Sequence, residues 1–348
     1  MNSPLQLGIV GIQGFGRSYL SVLKNLPDAT VAALCDLNEA AAKNLAAEFE
    51  VPSVFQDYAE LLRCHSLDAV LIATPHFLHY PMTMDALRAG KHVFCEKPLA
   101  LRASEAREMV TEAKRRGLVL SCHYNQRQAT GVKALKHIVE TGMIGRAYHV
   151  DARWMARWTR FMFDAEKTWR VRGDKAGGGI LIGRGSHLID AVLYLLGKPR
   201  VTAVHASIHN RLARLDVEDF AAVTLKLEDG CIVHIECSYV LHEPQFKESI
   251  EYHIYGDQGG AVYSNIDFNT QLKVGTCDLT NGNWSDLTPQ LDMAGIEREG
   301  PTSILADFVA AVATRRSPLV SGDDAAYITE LIEAGYASAH SRSEIKLG

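Results

Sequence analysis

The chain has 348 residues, 47% hydrophobic and 22% charged, with a formal charge of −5. That length exceeds one ordinary domain of roughly 100–200 residues and predicts two. The core can be large without disulfides or a structural metal. A mildly acidic chain without long Lys/Arg runs argues against a nucleic-acid or membrane-surface binder.

Leu5–Val10 reads as a strand, followed by a glycine cluster and a helix through about Leu26. Val31–Cys35 is a second strand, before an Ala-rich helix, Glu39–Phe49. Ala69–Ala73 is a third, followed by a helix over about Leu78–Ala89. Val93–Cys95 and Leu118–Cys122 are further strands around a charged helix, Ala103–Arg116. Strands alternating with helices predict a doubly wound parallel sheet, an α/β Rossmann domain over 1–124. Gly90 and Gly117 stand where helix C-caps are expected.

The pattern then changes. After a helix at about Gly131–Glu140, Val201–His209, Phe220–Leu227, Cys231–Tyr239 and Ile250–Tyr255 alternate apolar and polar residues, with a hairpin turn at Asp229-Gly230. Helices close the chain at about Thr302–Thr314 and Asp323–His340. This predicts an α+β domain over 125–348, built on a large, mostly antiparallel open sheet. One sheet face takes Val204, Ala206, Ile208, Val233, Ile235, Ile250, Tyr252 and Ile254. The other takes His205, Ser207, His209, His234, Glu236, Ser238, Glu251 and His253. The polar face is either wet or a subunit interface. His205 and His209 share that face, but nothing fixes a third ligand, so no metal site is expected.

Seven scattered cysteines without a C-x-x-C point to a reducing compartment, and Cys35, Cys95 and Cys122, each ending an apolar run, read as buried strand-end thiols. Met1–Leu7 lacks the charged region of a signal peptide, and no apolar run approaches the ~20 residues of a membrane span. A cytoplasmic protein is expected.

The run Gly11-Ile12-Gln13-Gly14-Phe15-Gly16 follows the first strand and opens the first helix, the context of a dinucleotide fingerprint. Helix N-terminal N–H groups there can bind a pyrophosphate. Gln13 replaces the middle glycine, with Gly14 beside it. Asp36 ends the second strand and can accept hydrogen bonds from ribose hydroxyls while repelling a 2′-phosphate, which favours NAD over NADP. Thr74, Pro75, His76 and His79, then Glu96 and Lys97, leave the carboxyl ends of further strands, where ligands of open α/β sheets bind. Asp36 also suits a helix N-cap.

Ala89-Gly90-Lys91-His92-Val93-Phe94-Cys95-Glu96-Lys97-Pro98 resembles a motif of the Gfo/Idh/MocA oxidoreductases. Gly177-Gly178-Gly179, then Gly185-Ser186-His187-Leu188-Ile189-Asp190, and Asn125-Gln126-Arg127 extend the resemblance over nearly the whole length. It implies NAD(P)-dependent oxidation or reduction of a sugar, inositol or related polyol. It also implies subunits packed through the open sheet, as a homodimer or homotetramer. By this resemblance Lys97 stands beside the nicotinamide as base or proton relay, its bond to Pro98 is cis, and His187 is the second catalytic residue. His187 is also readable as a helix histidine near an N-cap Ser186, and Asp190 as its orienting partner or a binder of first-turn N–H groups. The family has an Asp where this chain has Gly183, followed by Arg184. That departure and Gln13 leave open a rebuilt site with Arg184 on an anionic substrate group, a dinucleotide-binding sensor without redox activity, or redox-neutral sugar chemistry with tightly held NAD. The stretch Arg153–Arg172 concentrates Trp154, Trp158 and Trp169 with Arg153, Arg157, Arg160, Arg170 and Arg172. Asn125, Trp169, Arg170, Arg184, His187 and Lys97 are the candidate substrate contacts, with an acidic or phosphorylated polyol favoured.

Overall fold

A computed structural model describes residues 3–162, 164, 168–298 and 303–348. Thr302, where a closing helix was expected to start, and Phe163 and 165–167 of the Trp/Arg stretch lie outside the described residues. In chain order the first elements are β1 (Leu5–Val10), α1 (Phe15–Leu23), β2 (Ala29–Cys35), α2 (Glu39–Phe49), β3 (Ser53–Phe55) and α3 (Tyr58–Leu62). Next come β4 (Ala69–Ile72), α4 (His79–Arg88), β5 (His92–Cys95), α5 (Ala103–Arg116) and β6 (Leu120–Cys122). Then follow α6 (Thr130–Glu140), β7 (Ala147–Ala156), α7 (Gly173–Ala176), α8 (Ser186–Leu195), β8 (Val201–His209), β9 (Phe220–Leu227) and β10 (Ile232–Ser238). The last are β11 (Glu248–Gly256), β12 (Gly260–Ile266), β13 (Asn269–Cys277), β14 (Trp284–Asp286), α9 (Met293–Arg298), α10 (Ile304–Thr314), α11 (Gly322–Ser341) and β15 (Ile345–Lys346).

The chain divides into two compact units, Met1–His123 with Pro301–Thr329, and Tyr124–Gly300 with Glu330–Gly348. The first holds a six-stranded parallel sheet in the order β3-β2-β1-β4-β5-β6. This is the expected doubly wound arrangement. Its central strands are apolar on both faces, as a sheet covered by helices requires, and β4 is buried throughout. Helix α5 shows how local signals set an element. Ala103, Ala106, Met109, Val110 and Ala113 form its buried stripe, and Glu105 accepts the Arg102 N–H at 3.3 Å. Lys114, Arg115 and Arg116 complement the C-terminal dipole, and Gly117 closes it at φ 67°. The late stretch joins this unit through side chains. Phe308 packs 5.5 Å from Phe94, and Ser121 Oγ donates to Val320 O at 2.8 Å.

The second unit holds a nine-stranded sheet in the order β14-β13-β12-β11-β7-β10-β9-β8-β15. β7 and β10 run parallel, and every other neighbour is antiparallel. Alternation separates its faces as the sequence predicts except at Ser238, which was expected on the polar face and is instead buried, its Oγ donating to Asp219 O at 3.1 Å. Val150, Ala152, Val204, Ala206, Val233, Ile235, Tyr252 and Ile254 are buried, while His205, Ser207, His209 and His234 are exposed. On the polar face Tyr255 stacks 5.5 Å from His149, whose Nε2 lies 3.2 Å from Asp151, and Arg153 pairs with Glu236 at 3.2 Å. His209 stacks on Phe220 and faces Asp219 at 3.5 Å. Among the described residues no helix is long and apolar enough to cross a membrane.

Candidate active site

The candidate dinucleotide site grows from the β1–α1 turn. Gly11 has φ 82°, and a Cβ there would meet Ala73 O at 2.7 Å. At Gly16 a Cβ would meet Gly11 O at 1.8 Å, so the turn closes tightly only with glycines at both positions. Gly14, at φ 70°, has open space around it and precedes α1 without any side-chain cap. The first N–H groups of α1 therefore stay available to an anion. Gln13 and Phe15 are exposed beside them. Asp36 accepts Ile12 N–H at 3.0 Å and Asn38 N–H at 2.9 Å, one on each oxygen. A carboxylate oxygen can accept more than one bond, so Asp36 retains capacity for ribose hydroxyls. It does not cap α2; Asn38 does, accepting from Ala41 N. Thr74 Oγ1 is buried without a hydrogen-bond partner at the end of β4, an orphan that a ligand's polar group can satisfy. These features fit NAD.

The loop after β5 is built more elaborately than its motif suggests. Lys97–Pro98 is cis. Pro75 precedes the 3-10 turn His76–Leu78, and the His76 ring lies 5.6 Å from that of His79. His79 is buried, with Nδ1 2.6 Å from Pro98 O and Nε2 2.9 Å from Thr74 O. It thus ties the two ligand-end loops together rather than facing a cofactor, which corrects the expectation for it. Burial pushes its pKa down against the two carbonyls that favour its charged form. Glu96 also turns inward. It accepts from the Tyr19 hydroxyl, lies 3.0 Å from His123 Nδ1 and takes Lys97 N–H at 3.1 Å. Burial opposes its ionisation, but His123, Tyr19 and Lys97 outweigh that and hold its pKa at about 2. Neither Tyr19 nor His123 was legible as a site residue, because each is an isolated polar residue at the end of an apolar pattern.

In the second unit, α8 is entered through the π-helical turn Leu181–Gly185. Ser186 is therefore inside a continuous helix, not its N-cap, and its Oγ donates to Ile182 O at 2.8 Å. The capping role belongs to Glu218, which accepts Gly179 N–H at 2.9 Å, Leu181 N–H at 3.0 Å and the Tyr336 hydroxyl at 2.8 Å. Burial raises its pKa, with these donors opposing. The glycine triplet makes this fit possible. A Cβ on Gly178 would meet Tyr336 Oη at 1.9 Å, and one on Gly179 would meet Glu218 O at 2.0 Å.

His187 is buried on α8, edge-on to Tyr124 at 5.7 Å and tilted 5.7 Å from Trp154. Asp190, expected either to orient His187 or to bind first-turn N–H groups, is engaged by Arg127. It takes the Arg127 guanidinium, with Nη2 at 2.5 Å and Nε at 2.9 Å, in a pair buried on both sides. Asn125 is exposed at the start of the 3-10 turn that carries Arg127. Arg184 is held by Glu248 at 2.6 Å and Ser238 O at 3.2 Å, sandwiched between Trp154 at 4.9 Å and Tyr239 at 5.3 Å. Its charge is therefore already matched, which removes the support for Arg184 as an anion receptor. Arg160 and Arg172 likewise close onto Asp164 and Asp174, as Arg153 does onto Glu236. Trp169 and Arg170 share a 3-10 turn, the guanidinium 4.8 Å from the indole. Glu248, Tyr239 and Tyr124 are site neighbours that carried no sequence signal. Among the described residues no group of three or more His, Cys, Asp or Glu could hold a metal.

A Rossmann sheet with a glycine turn, an acidic β2 end and a lysine at the end of β5 defines an NAD-binding oxidoreductase. The oxidoreductase family with an NAD-binding Rossmann fold matches residues 5–124, and the GFO/IDH/MocA C-terminal domain matches 132–262. The chain belongs to the Gfo/Idh/MocA oxidoreductase family. It is 28% identical to D-glucoside 3-dehydrogenase of Escherichia coli K12, covering 99% of this chain and 98% of that protein. It is 27% identical to 1,5-anhydro-D-fructose reductase of Ensifer adhaerens, covering 98% of each. Levoglucosan dehydrogenase, solved with NADH and L-sorbose, shares the fold with a TM-score of 0.85 at 23% identity, over 99% of each chain.

Proposed function

We propose that the protein oxidises or reduces a secondary alcohol of a neutral sugar, inositol or related polyol with NAD, Lys97 and His187 handling the proton. The observation that supports this reading is Lys97 just beyond the carboxyl end of β5, where ligands of open α/β sheets bind. The relatives' names, D-glucoside 3-dehydrogenase and myo-inositol 2-dehydrogenase, support the substrate class. Bound NAD supplies the hydride acceptor or donor. Lys97 takes the proton that leaves the hydroxyl, or returns it in reduction, and His187 is the second proton donor or acceptor. A neutral substrate is favoured because Arg184, the candidate receptor for an anionic group, is already held by Glu248. Asp36 supports NAD over NADP, since a 2′-phosphate would face its charge. On this reading residues 1–124 bind the dinucleotide, while 125–348 bind substrate and join subunits through the polar sheet face. The five buried free cysteines suit a reducing, cytoplasmic setting. The test is Lys97→Ala: turnover collapses while NADH affinity, read by fluorescence titration, holds. Unchanged turnover defeats the assignment.

A second reading is a dinucleotide-binding sensor, favoured by the exposed Gln13 in the glycine turn. NAD binding with no turnover over a broad polyol panel selects it; one good substrate dismisses it.

A further inference from the structure

Gly183 precedes His187 by four residues, so a side chain at 183 would share the His187 face of the helix. No side chain fits there. A Cβ built on Gly183 would stand 1.9 Å from Tyr239 Oη and 3.1 Å from Tyr239 Cζ. The volume that position 183 leaves on this face is thus taken by one hydroxyl, delivered from the end of β10. Its position is fixed from several sides. Tyr239 N–H donates to Asp219 O at 3.0 Å. Its ring lies 5.3 Å from the Arg184 guanidinium, which stacks on Trp154, and Trp154 lies 5.7 Å from His187. Trp154 Nε1 and Arg184 both bind Glu248, at 2.9 and 2.6 Å. Arg184 and Trp154 therefore connect the Tyr239 ring to His187 through one packed cluster. Burial pushes the Tyr239 pKa far above neutrality, outweighing the lowering effect of Arg184. The group is consequently a protonated donor in the working range.

We propose that Tyr239 is a substrate-orienting residue whose O–H, standing in the volume left by Gly183 on the His187 face, donates a hydrogen bond to a hydroxyl of the sugar substrate. The inference rests on the reading of His187 as a residue of the reacting site. It replaces a carboxylate acceptor, which the family resemblance implies at 183, by a phenol donor. The site thereby selects a substrate hydroxyl that can accept a bond at that point.

The experiment uses the full-length protein with NAD and, as probes, levoglucosan, methyl β-D-glucoside and myo-inositol. Tyr239→Phe keeps the ring and its Arg184 stack and removes only the hydroxyl. With the best of the three substrates, kcat/KM is expected to fall about tenfold, the effect of one lost hydrogen bond to a bound group. NADH affinity and Tm stay at wild-type values. Gly183→Ala supplies the second reading. In the wild-type background its Cβ displaces the hydroxyl and lowers kcat/KM, whereas in the Tyr239→Phe background it changes kcat/KM little. Wild-type kcat/KM in Tyr239→Phe overturns the proposal, as does a lowered Tm with kcat/KM unchanged. Additive effects of the two substitutions overturn the shared-volume argument. Lys97→Ala and His187→Ala separate this inference from the reading beneath it. If both collapse turnover while Tyr239→Phe does not, only the inference fails. If both keep turnover, or none of the three sugars reacts, the underlying reading fails and the inference with it.

Discussion

Two buried glutamates, one in each unit, are driven in opposite directions. Glu96 is held at a pKa of about 2 because His123 and Lys97 stand against it, helped by the Tyr19 hydroxyl. Glu218 meets neutral donors, two backbone N–H groups and Tyr336, and burial raises its pKa. The difference separates two uses of a buried acid. Glu96 is part of a charged cluster next to Lys97, whereas Glu218 secures the backbone that leads to His187.

The strongest way to break this comparison is at the lysine itself. Lys97→Ala is expected to lower kcat about a thousandfold, within the range for losing a general acid or base. Stability to urea should barely change, since Glu96 keeps His123 and Tyr19. In the second unit the corresponding charge is Arg127. Arg127→Leu removes the buried cation that faces Asp190, and denaturation curves should show a loss of about 3–5 kcal/mol. The double variant with Asp190→Leu should recover much of that.

The glutamates themselves sharpen the contrast through pH. A carboxyl whose folded pKa is depressed contributes stability that is full above its unfolded value, and that is lost as pH falls through the folded value. For Glu96 the window runs from pH 4.5 down to about 2 and is worth on the order of 3 kcal/mol. Glu96→Gln should flatten the acid limb of a Tm-against-pH curve. Glu218 has the opposite sign. Its raised pKa gives a contribution present below the unfolded value and lost as pH rises, so Glu218→Gln should leave that acid limb in place. The smallest effect is expected at Asp36. Asp36→Ser should shift the ratio of NAD to NADP affinity about tenfold toward NADP, as two ribose-facing contacts and one repulsive charge are exchanged. Paired titrations with both reduced dinucleotides measure it.

The glycine turn, the Asp at the end of β2 and the change from parallel to alternating strands were legible in the sequence. Each depends on local periodicity or on a short run of residues with one permitted backbone. Less visible were β7, which is mixed in pattern because one of its faces carries Arg153 and Asp151 while the other carries Trp154, and β13 and β14, which are mostly exposed and show little alternation. The polar residues His79, Glu96, Asp190 and Arg184 were identified as important, yet their partners were not. Those partners come from 19 residues away for His79 and 63 for Asp190, on elements whose approach only packing sets.

The sequence by itself therefore determined the order of elements, the two sheet grammars and the chemistry available at Lys97 and His187, because these follow from backbone sterics and side-chain type. Tertiary structure decided what each charged group does. It turned Glu96 inward, gave Asp190 to Arg127, closed Arg184 onto Glu248, and set the Tyr239 hydroxyl in the space beside Gly183. The energy of a buried charge or donor depends on the few groups that face it, and those are brought together from distant parts of the chain only when the core packs.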